Sequence, residues 1–368
     1  MPRAPDIVLA DDLTGAAEIA GVAHRHGLRA TLVTRATPPV GRGMTVMDTD
    51  TRLLAPAAAA RRVRRLGRQA GTRLAFKKTD SVLRGPVRAE LEALASPFDR
   101  ILLIPANPRL GRTIRDGAYR VEGRLLHRTA FARDPHHPAR TARVRDLLGA
   151  GRIALHLVAA GAALPARGLS VGEAARAADV VRWARAVDRR TLPAGGAEFF
   201  AAVLRARGAR SRTPHPPVVP AGPALVVSGS LAPGALAAAR AAEAEGWTVS
   251  DRRRDLTPAL RTTGRAWCAT ALAPKDDATV VRRRVAGLVR ALRATHAFSH
   301  LVIEGGATAA AVIRALRWDR LDVLGEWAPG VVALRPRSAR RVVITLKPGS
   351  YAWPASLRAA LRRAGPFA

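Results

Sequence analysis

The chain has 368 residues, enough for two domains, and 48% hydrophobic residues supply cores, which excludes wholesale disorder. Its 61 basic against 28 acidic residues give a formal net charge of +33, but all except four of the bases are arginines, spread over helix faces without aromatics to stack bases. Salt-sensitive polyanion binding is expected from such a field; a specific nucleic-acid partner is not.

The single cysteine, Cys268, lies in an apolar stretch and reads as a buried structural thiol, so no intrachain disulfide can form. No signal-peptide core and no apolar run of membrane-spanning length stands out, and the expectation is a cytoplasmic protein with no membrane partner.

The first element, an apolar run over 6–10, reads as a buried strand. It stops at Asp11 and Asp12, with Thr14 and Gly15 opening a helical pattern over 13–25. At the carboxyl end of a strand in an open α/β sheet, paired carboxylates can bind hydroxyls, hold a metal or take a proton from an attacking alcohol. Capping of the helix by Asp12 is the structural alternative, and it needs only one acid. Strands are expected at 30–34 and 44–48, the second ending in Asp48, Asp50 and Arg52. A helix over 55–69 leads to a strand at 74–77 and a dense polar stretch containing Lys77, Lys78, Thr79, Asp80, Ser81 and Arg84. Lys78, Ser81 and Arg84 can bind a carboxylate or phosphate and Asp80 can take hydroxyls; an exposed charged loop is the plainer reading. A helix over 86–94, a strand over 101–105 and another polar run over 105–113 follow. Several strands thus deliver polar groups to one rim, which suits a small polyhydroxylated acid.

A strand at 152–158 and a helical section over 171–187 and 197–206 close the first half. Gly168-Leu169-Ser170-Val171-Gly172 has the spacing of a nucleophile elbow, but no strand is expected before it, and Ser170 reads as a helix cap. The proline-rich segment 207–223 reads as a linker, dividing the chain into domains 1–206 and 224–368. Beyond it, strands are expected at 224–227, 247–249, 266–270, 301–304, 331–334 and 342–346, with helices at 233–245, 276–294, 308–316 and 355–364. Both halves therefore read as α/β domains with mainly parallel sheets.

Three glycine-rich turns follow apolar runs in the second half: Ser228-Gly229-Ser230, Gly305-Gly306-Ala307-Thr308 and Lys347-Pro348-Gly349-Ser350. Glycine admits a close ligand, and a helix start offers free N–H groups, so the three together suit a phosphate cradle; singly each is an ordinary turn. Neither a P-loop nor a dinucleotide fingerprint occurs. His296 and His300 are spaced for one helix face, but no third ligand is evident and no metal site is assigned.

Taken in order, segments 10–16, 48–52, 77–85, 105–113, 126–135, 228–230, 305–308, 323–331 and 347–349 resemble the four-carbon acid sugar kinase family over nearly the whole chain. The resemblance implies two α/β domains with an active-site cleft between them, the first holding the sugar acid and the second ATP with Mg²⁺. The implied reaction phosphorylates the terminal hydroxyl of an acid of the threonate, erythronate or 3-oxo-tetronate type. By position, the acid site would comprise Asp11 or Asp12, Arg52, Lys78, Thr79, Asp80 and Ser81, with Arg84 offsetting charge. Asp12, or failing that Asp80, would accept the hydroxyl proton. The nucleotide site would comprise Ser228, Gly305, Gly306, Ala307, Thr308 and Gly349, to which the turn chemistry adds Ser230 and Lys347. Two departures stand out: Ala307 replaces the acid of the family's usual Gly-Gly-Asp-Thr turn, and Pro348 and Ser350 alter the segment after Lys347. A homologue that kept the sugar-acid pocket but lost productive ATP use, and so acts as a sensor, is the alternative. Homo-oligomerisation is left open.

Overall fold

The computed structural model describes residues 6–35, 43–134, 136–212, 216–229, 233–269, 277–349 and 351–367. In chain order the elements are β1 (Ile7–Ala10), α1 (Leu13–Arg25), β2 (Ala30–Val33), β3 (Met44–Asp48), α2 (Pro56–Ala70), β4 (Leu74–Lys78), α3 (Val87–Ala93) and β5 (Arg100–Ile104). Next come β6 (Arg112–Arg115), β7 (Ala118–Val121), β8 (Arg124–Leu125), α4 (Val144–Leu148), β9 (Leu155–Val158), β10 (Gly168–Gly172), α5 (Ala177–Arg185), β11 (Thr191–Gly195) and α6 (Ala197–Ala206). The remainder is β12 (Ala224–Ser228), α7 (Pro233–Ala244), β13 (Thr248–Ser250), α8 (Arg253–Thr262), β14 (Arg265–Ala269) and α9 (Ala278–Ala294). It finishes with β15 (His300–Glu304), α10 (Gly306–Ala315), β16 (Arg320–Ala328), β17 (Val331–Pro336), β18 (Val343–Lys347) and α11 (Ala355–Arg362).

The chain divides into two compact units, Met1–Arg29 with Arg35–Arg212, and Ala30–Thr34 with Thr213–Ala368. The strand at 30–34, expected in the first domain, therefore belongs to the second unit.

In the first unit seven parallel strands run in the order β3-β1-β4-β11-β5-β10-β9. β1 is buried at every position, which requires cover on both faces. Helices supply it in two groups, α1 with α6 and α5, and α2 with α3. Phe76 on β4 meets Phe199 and Phe200 of α6 at ring-centroid distances of 5.9 and 5.0 Å, joining strand and helix. Register sets the site: Ala10 is level with Asp48 and Lys78, Lys78 with Gly195, and Gly195 with Ile104. The loops after β1, β3, β4 and β5 therefore leave from one edge. A small antiparallel sheet, β6-β7-β8, arises from the segment after β5.

The second unit has parallel strands in the order β13-β14-β12-β15-β18, continued by antiparallel β17, β16 and β2. Its core gathers Trp267, Val226, Val302 and Val343 from the sheet with Ala242 of α7 and Leu357 of α11.

Several sequence expectations change here. Residues 168–172 form a strand, so Ser170 caps no helix; it lies fully buried in the middle of β10, away from any strand-to-helix turn. His296 follows the end of α9 and His300 starts β15, so no helix face carries both. Cys268 is buried on β14 as expected, and burial pushes its thiol up to about 12.

Candidate functional site

At the first unit's rim the chain turns from β1 into α1 through Asp11 and Asp12. Asp12 caps α1: its Oδ1 accepts the Gly15 N–H at 2.9 Å and its Oδ2 the Thr14 hydroxyl at 2.6 Å. Gly15 is needed for space, because a Cβ there would lie 2.6 Å from Asp12 Oδ1 and 3.3 Å from Lys78 Nζ.

Arg52 ties the carboxylates together. Its Nε donates to Asp11 Oδ2 and its Nη2 to Asp12 Oδ1, both at 2.8 Å, and Nη2 stands 3.7 Å from Asp80 Oδ1. The Thr51 and Arg52 backbone N–H groups also donate to the Asp11 carbonyl, fixing the loop after β3 against the end of β1.

Asp80 is saturated. Its Oδ2 accepts from the backbones of Val82 and Arg84 and from Arg84 Nε, and its Oδ1 from Arg84 Nη2 at 2.8 Å. The other arm of Arg84 reaches Asp134 at 2.9 Å. Lys78 is buried, with Nζ donating to the Thr79 carbonyl at 2.9 Å and lying 3.7 Å from Glu18. Beneath the rim Lys77 and Glu90 form a fully buried pair at 2.7 Å.

Burial pushes the Asp11 carboxyl up, but Arg52, then Lys77 and Lys78, outweigh it and hold the group below the ordinary carboxylate range. For Asp80 the same burial is outweighed by Arg52 and Arg84, leaving it far below that range. Both acids are therefore anionic at neutral pH. Among the described residues, Asp11 Oδ1 and Thr79 Oγ1 are buried polar atoms without a hydrogen-bond partner. Orphaned atoms of this kind in a polar rim are where a ligand hydroxyl gains most.

The structure thus brings Asp11, Asp12, Arg52, Lys78, Thr79, Asp80, Ser81 and Arg84 to one edge. It also draws in Arg112 from the polar run over 105–113, and beyond it Tyr119 and Phe131, to which the sequence assigned no role. Arg112 donates to the Ser81 hydroxyl, the Tyr119 hydroxyl donates to the Ser81 carbonyl at 2.6 Å, and Phe131 lies against Arg84 and Arg112 at 5.6 and 5.9 Å. These come from β6, β7 and the segment after β8, whose arginine-rich sequence masks its alternation.

A second rim forms in the other unit. Ser228, Glu304 and Lys347, the last residues of β12, β15 and β18, lie side by side in register. Gly305, at φ +97°, makes the sharp entry to α10, a conformation other residues adopt only with strain. No side chain caps α10, so the first-turn N–H groups of Gly306, Ala307 and Thr308 have no capping acceptor, an arrangement of the kind that can take an anion. Gly349 follows β18 at the same edge, and Ser230 lies outside the described residues.

Lys347, expected to meet phosphate, is turned inward. It is 1% exposed, with Nζ 2.6 Å from Glu304 Oε1 and 3.2 Å from the Pro348 carbonyl. Ser228 donates to the other Glu304 oxygen at 2.7 Å. Glu304 is a residue the sequence reading passed over; its signal was the lone acid between an apolar strand and Gly305-Gly306. Among the described residues no group of three or more His, Cys, Asp or Glu is placed to hold a metal ion, and no helix is long and apolar enough to cross a membrane.

Two family models match the chain. The family model for a sugar-binding N-terminal domain matches residues 7–203, and that for a nucleotide-binding C-terminal domain matches 226–351. D-threonate kinase of Bordetella bronchiseptica is 32% identical over 371 residues, with 88% of each chain covered. The 3-oxo-tetronate kinase of Cupriavidus necator is 28% identical over 431 residues, covering 97% of this chain and 96% of its own. A Haemophilus influenzae protein of known structure shares the fold, with a TM-score of 0.73 at 19% identity over 96% of this chain and 98% of that one.

Proposed function

The chain belongs to the four-carbon acid sugar kinase family, and from that premise we propose that this phosphotransferase moves the γ-phosphoryl group of ATP onto the terminal hydroxyl of a four-carbon sugar acid. The observation that carries the reading is a pair of orphaned oxygens, Asp11 Oδ1 and Thr79 Oγ1, on the residues that follow paired Ala10 and Lys78, in a rim that includes Arg52, Lys78 and Arg84. An acid sugar offers hydroxyls for the free oxygens, and its carboxylate can join the ion pairs that Arg52, Lys78 and Arg84 already make with protein acids.

The same geometry moves the general base. The sequence reading put Asp12, then Asp80, in that role, but Asp12 spends both oxygens on the cap, Thr14 and Arg52, and Asp80 spends both on Arg84 and its loop. Asp11 keeps one oxygen free, anchored through the other to Arg52. In the proposed mechanism Asp11 orients the attacking hydroxyl and receives its proton as the O–P bond forms. Its low proton affinity in the free site suits a loose, largely dissociative transition state, in which the hydroxyl proton leaves late. Lys78 and Arg84 offset the substrate carboxylate. The α10 helix start, with Ser228 and Gly349 beside it, receives the triphosphate, and the reacting atoms must come within about 3–3.5 Å for transfer.

Mg²⁺ would accompany ATP, neutralising phosphate charge. Ala307, where the family has an acid, and the lack of an acidic cluster among the described residues provide no protein cage for it. The ion is then held by the phosphates and water, as this cation commonly is, and no step is assigned to it.

ADP release measured across threonate, erythronate and 3-oxo-tetronate stereoisomers with ATP and Mg²⁺ tests the reading. Turnover of at least one acid is expected. Tight binding of an acid with no ADP formed from any of them would instead favour a sensor.

A further inference from the structure

Glu304 sits at the second rim with no counterpart among the residues that the turns or the family resemblance pointed to. The side chains of Ser228, Glu304 and Lys347 form one row across three adjacent parallel strands, each at its strand's last position. All three are buried, and Glu304 bridges them, Oε2 accepting from Ser228 and Oε1 from Lys347. The backbone continues the link: the Gly305 N–H donates to the Lys347 carbonyl at 2.9 Å, and Lys347 Nζ also donates to the Pro348 carbonyl. Lys347 Nζ stands 5.2 Å from the centre of the Trp353 ring, which shields its outer side.

Stability alone does not account for this cluster. Removing two charges from water is costly, and apolar residues of similar volume often hold a core as well or better. What a bidentate carboxylate adds is direction, because its two oxygens accept only from donors at defined positions. The described residues that follow these three are Gly229, the start of α10 from Gly305 and Gly306, and Pro348 with Gly349. Their tolerance is small: a Cβ at Gly229 would come 1.9 Å from Thr308 Oγ1.

We propose that Glu304 is a positioning residue for the nucleotide rim, its carboxylate fixing the ends of β12, β15 and β18 so that the α10 N–H groups and the Ser228 turn are held in register for the triphosphate. Lys347 then serves as the counter-charge of that strut and leaves phosphate binding to the helix start. The inference rests on reading this rim as the nucleotide site.

The test measures MgATP binding by calorimetry and KM for ATP and for the sugar acid in wild type, Glu304→Gln, Lys347→Met and the double variant Glu304→Leu/Lys347→Met. Wild type should bind MgATP. Each variant should bind it roughly tenfold more weakly or worse, since a shift of about 1 Å in such a site can cost up to ~10²-fold. KM for the sugar acid should stay within about twofold. The double variant, free of the unpaired buried charge, should regain thermal stability without regaining ATP affinity. If it, or Glu304→Gln, binds MgATP like wild type, the cluster is a brace and the proposal falls while the nucleotide site stands. If wild type itself binds no MgATP, the reading of the rim fails and the proposal with it.

Discussion

Asp11 and Asp12 are neighbours with the same side chain, yet their surroundings divide the work. Asp12 is consumed by the helix it starts, and Asp11 is held by Arg52 with one oxygen left over. Asp11→Asn should therefore lower turnover by about 10²–10⁴-fold, the range for loss of a general base. Asp12→Asn keeps a good capping residue and should cost far less. Steady-state ADP release, with circular dichroism confirming both folds, decides between them; the opposite order would return the base to Asp12.

His300 gives a second residue-scale expectation. Burial lowers its imidazole from 6.5 to about 4, and it stays neutral against the Thr345 hydroxyl at 2.9 Å. Between those two values the unfolded chain binds the proton and the folded one does not. The stability this creates is complete above pH 6.5 and falls as pH drops toward 4, by up to roughly 3 kcal/mol. Burial lowers His24 and His26 as well, so the comparison with His300→Gln isolates one ring. Urea titrations of the variant should show a shallower decline over that interval, and parallel curves would remove the assignment. That the ring is a core group was hidden in the sequence, where it stood four residues from His296.

At the scale of elements, α1 begins at the rim proposed to hold the sugar acid, so a change in the helix start should be felt there. Gly15→Ala improves helix propensity by about 1 kcal/mol but drives a methyl toward Asp12 Oδ1 and Lys78 Nζ, and a lost cap costs about 0.5–2 kcal/mol. Unfolding temperature should move by only a few degrees, while ADP release falls by about tenfold or more. A variant with full turnover would show that the cap tolerates displacement.

Elements with continuous apolar runs, such as β1, β4 and β15, were legible because parallel strands are buried on both faces. The hairpins β6-β7-β8 were not read, although Asp116-Gly117 and Glu122-Gly123, all at positive φ, are turns of the kind that join antiparallel strands. Their arginines carried the eye to charge instead. β10 and β11, which flank the helical pattern over 171–187, carry no strand signal, because small residues and short lengths show no period. Tyr119 of β7 and Phe131 beyond β8 join the first rim without any strand-end motif to mark them, whereas Arg112 lies in the polar run that follows the strand at 101–105.

For the whole molecule, two α/β units and a kinase-like order of segments were visible in the chain, and membership of β2 was not. A five-residue run gives no sign of which sheet it joins. Its partner lies far off: Thr31 donates to Asp322 across 291 positions, and β2 pairs antiparallel with β16. A fragment starting at residue 216 leaves β16 without that neighbour, and exposed strand edges recruit other chains. Such a fragment should run as aggregates in size-exclusion chromatography, and a monomeric one would show that β2 is dispensable.

This threading also bears on biosynthesis. The ribosome makes β2 early and must lay down 291 further positions before its mate emerges, a wait on the order of 15–60 s at ~5–20 residues per second. For that interval β2 is without its antiparallel partner β16. Recombination that exchanged the two halves as cassettes at the proline-rich joint would orphan the same strand, so the gene is bound to travel as one piece.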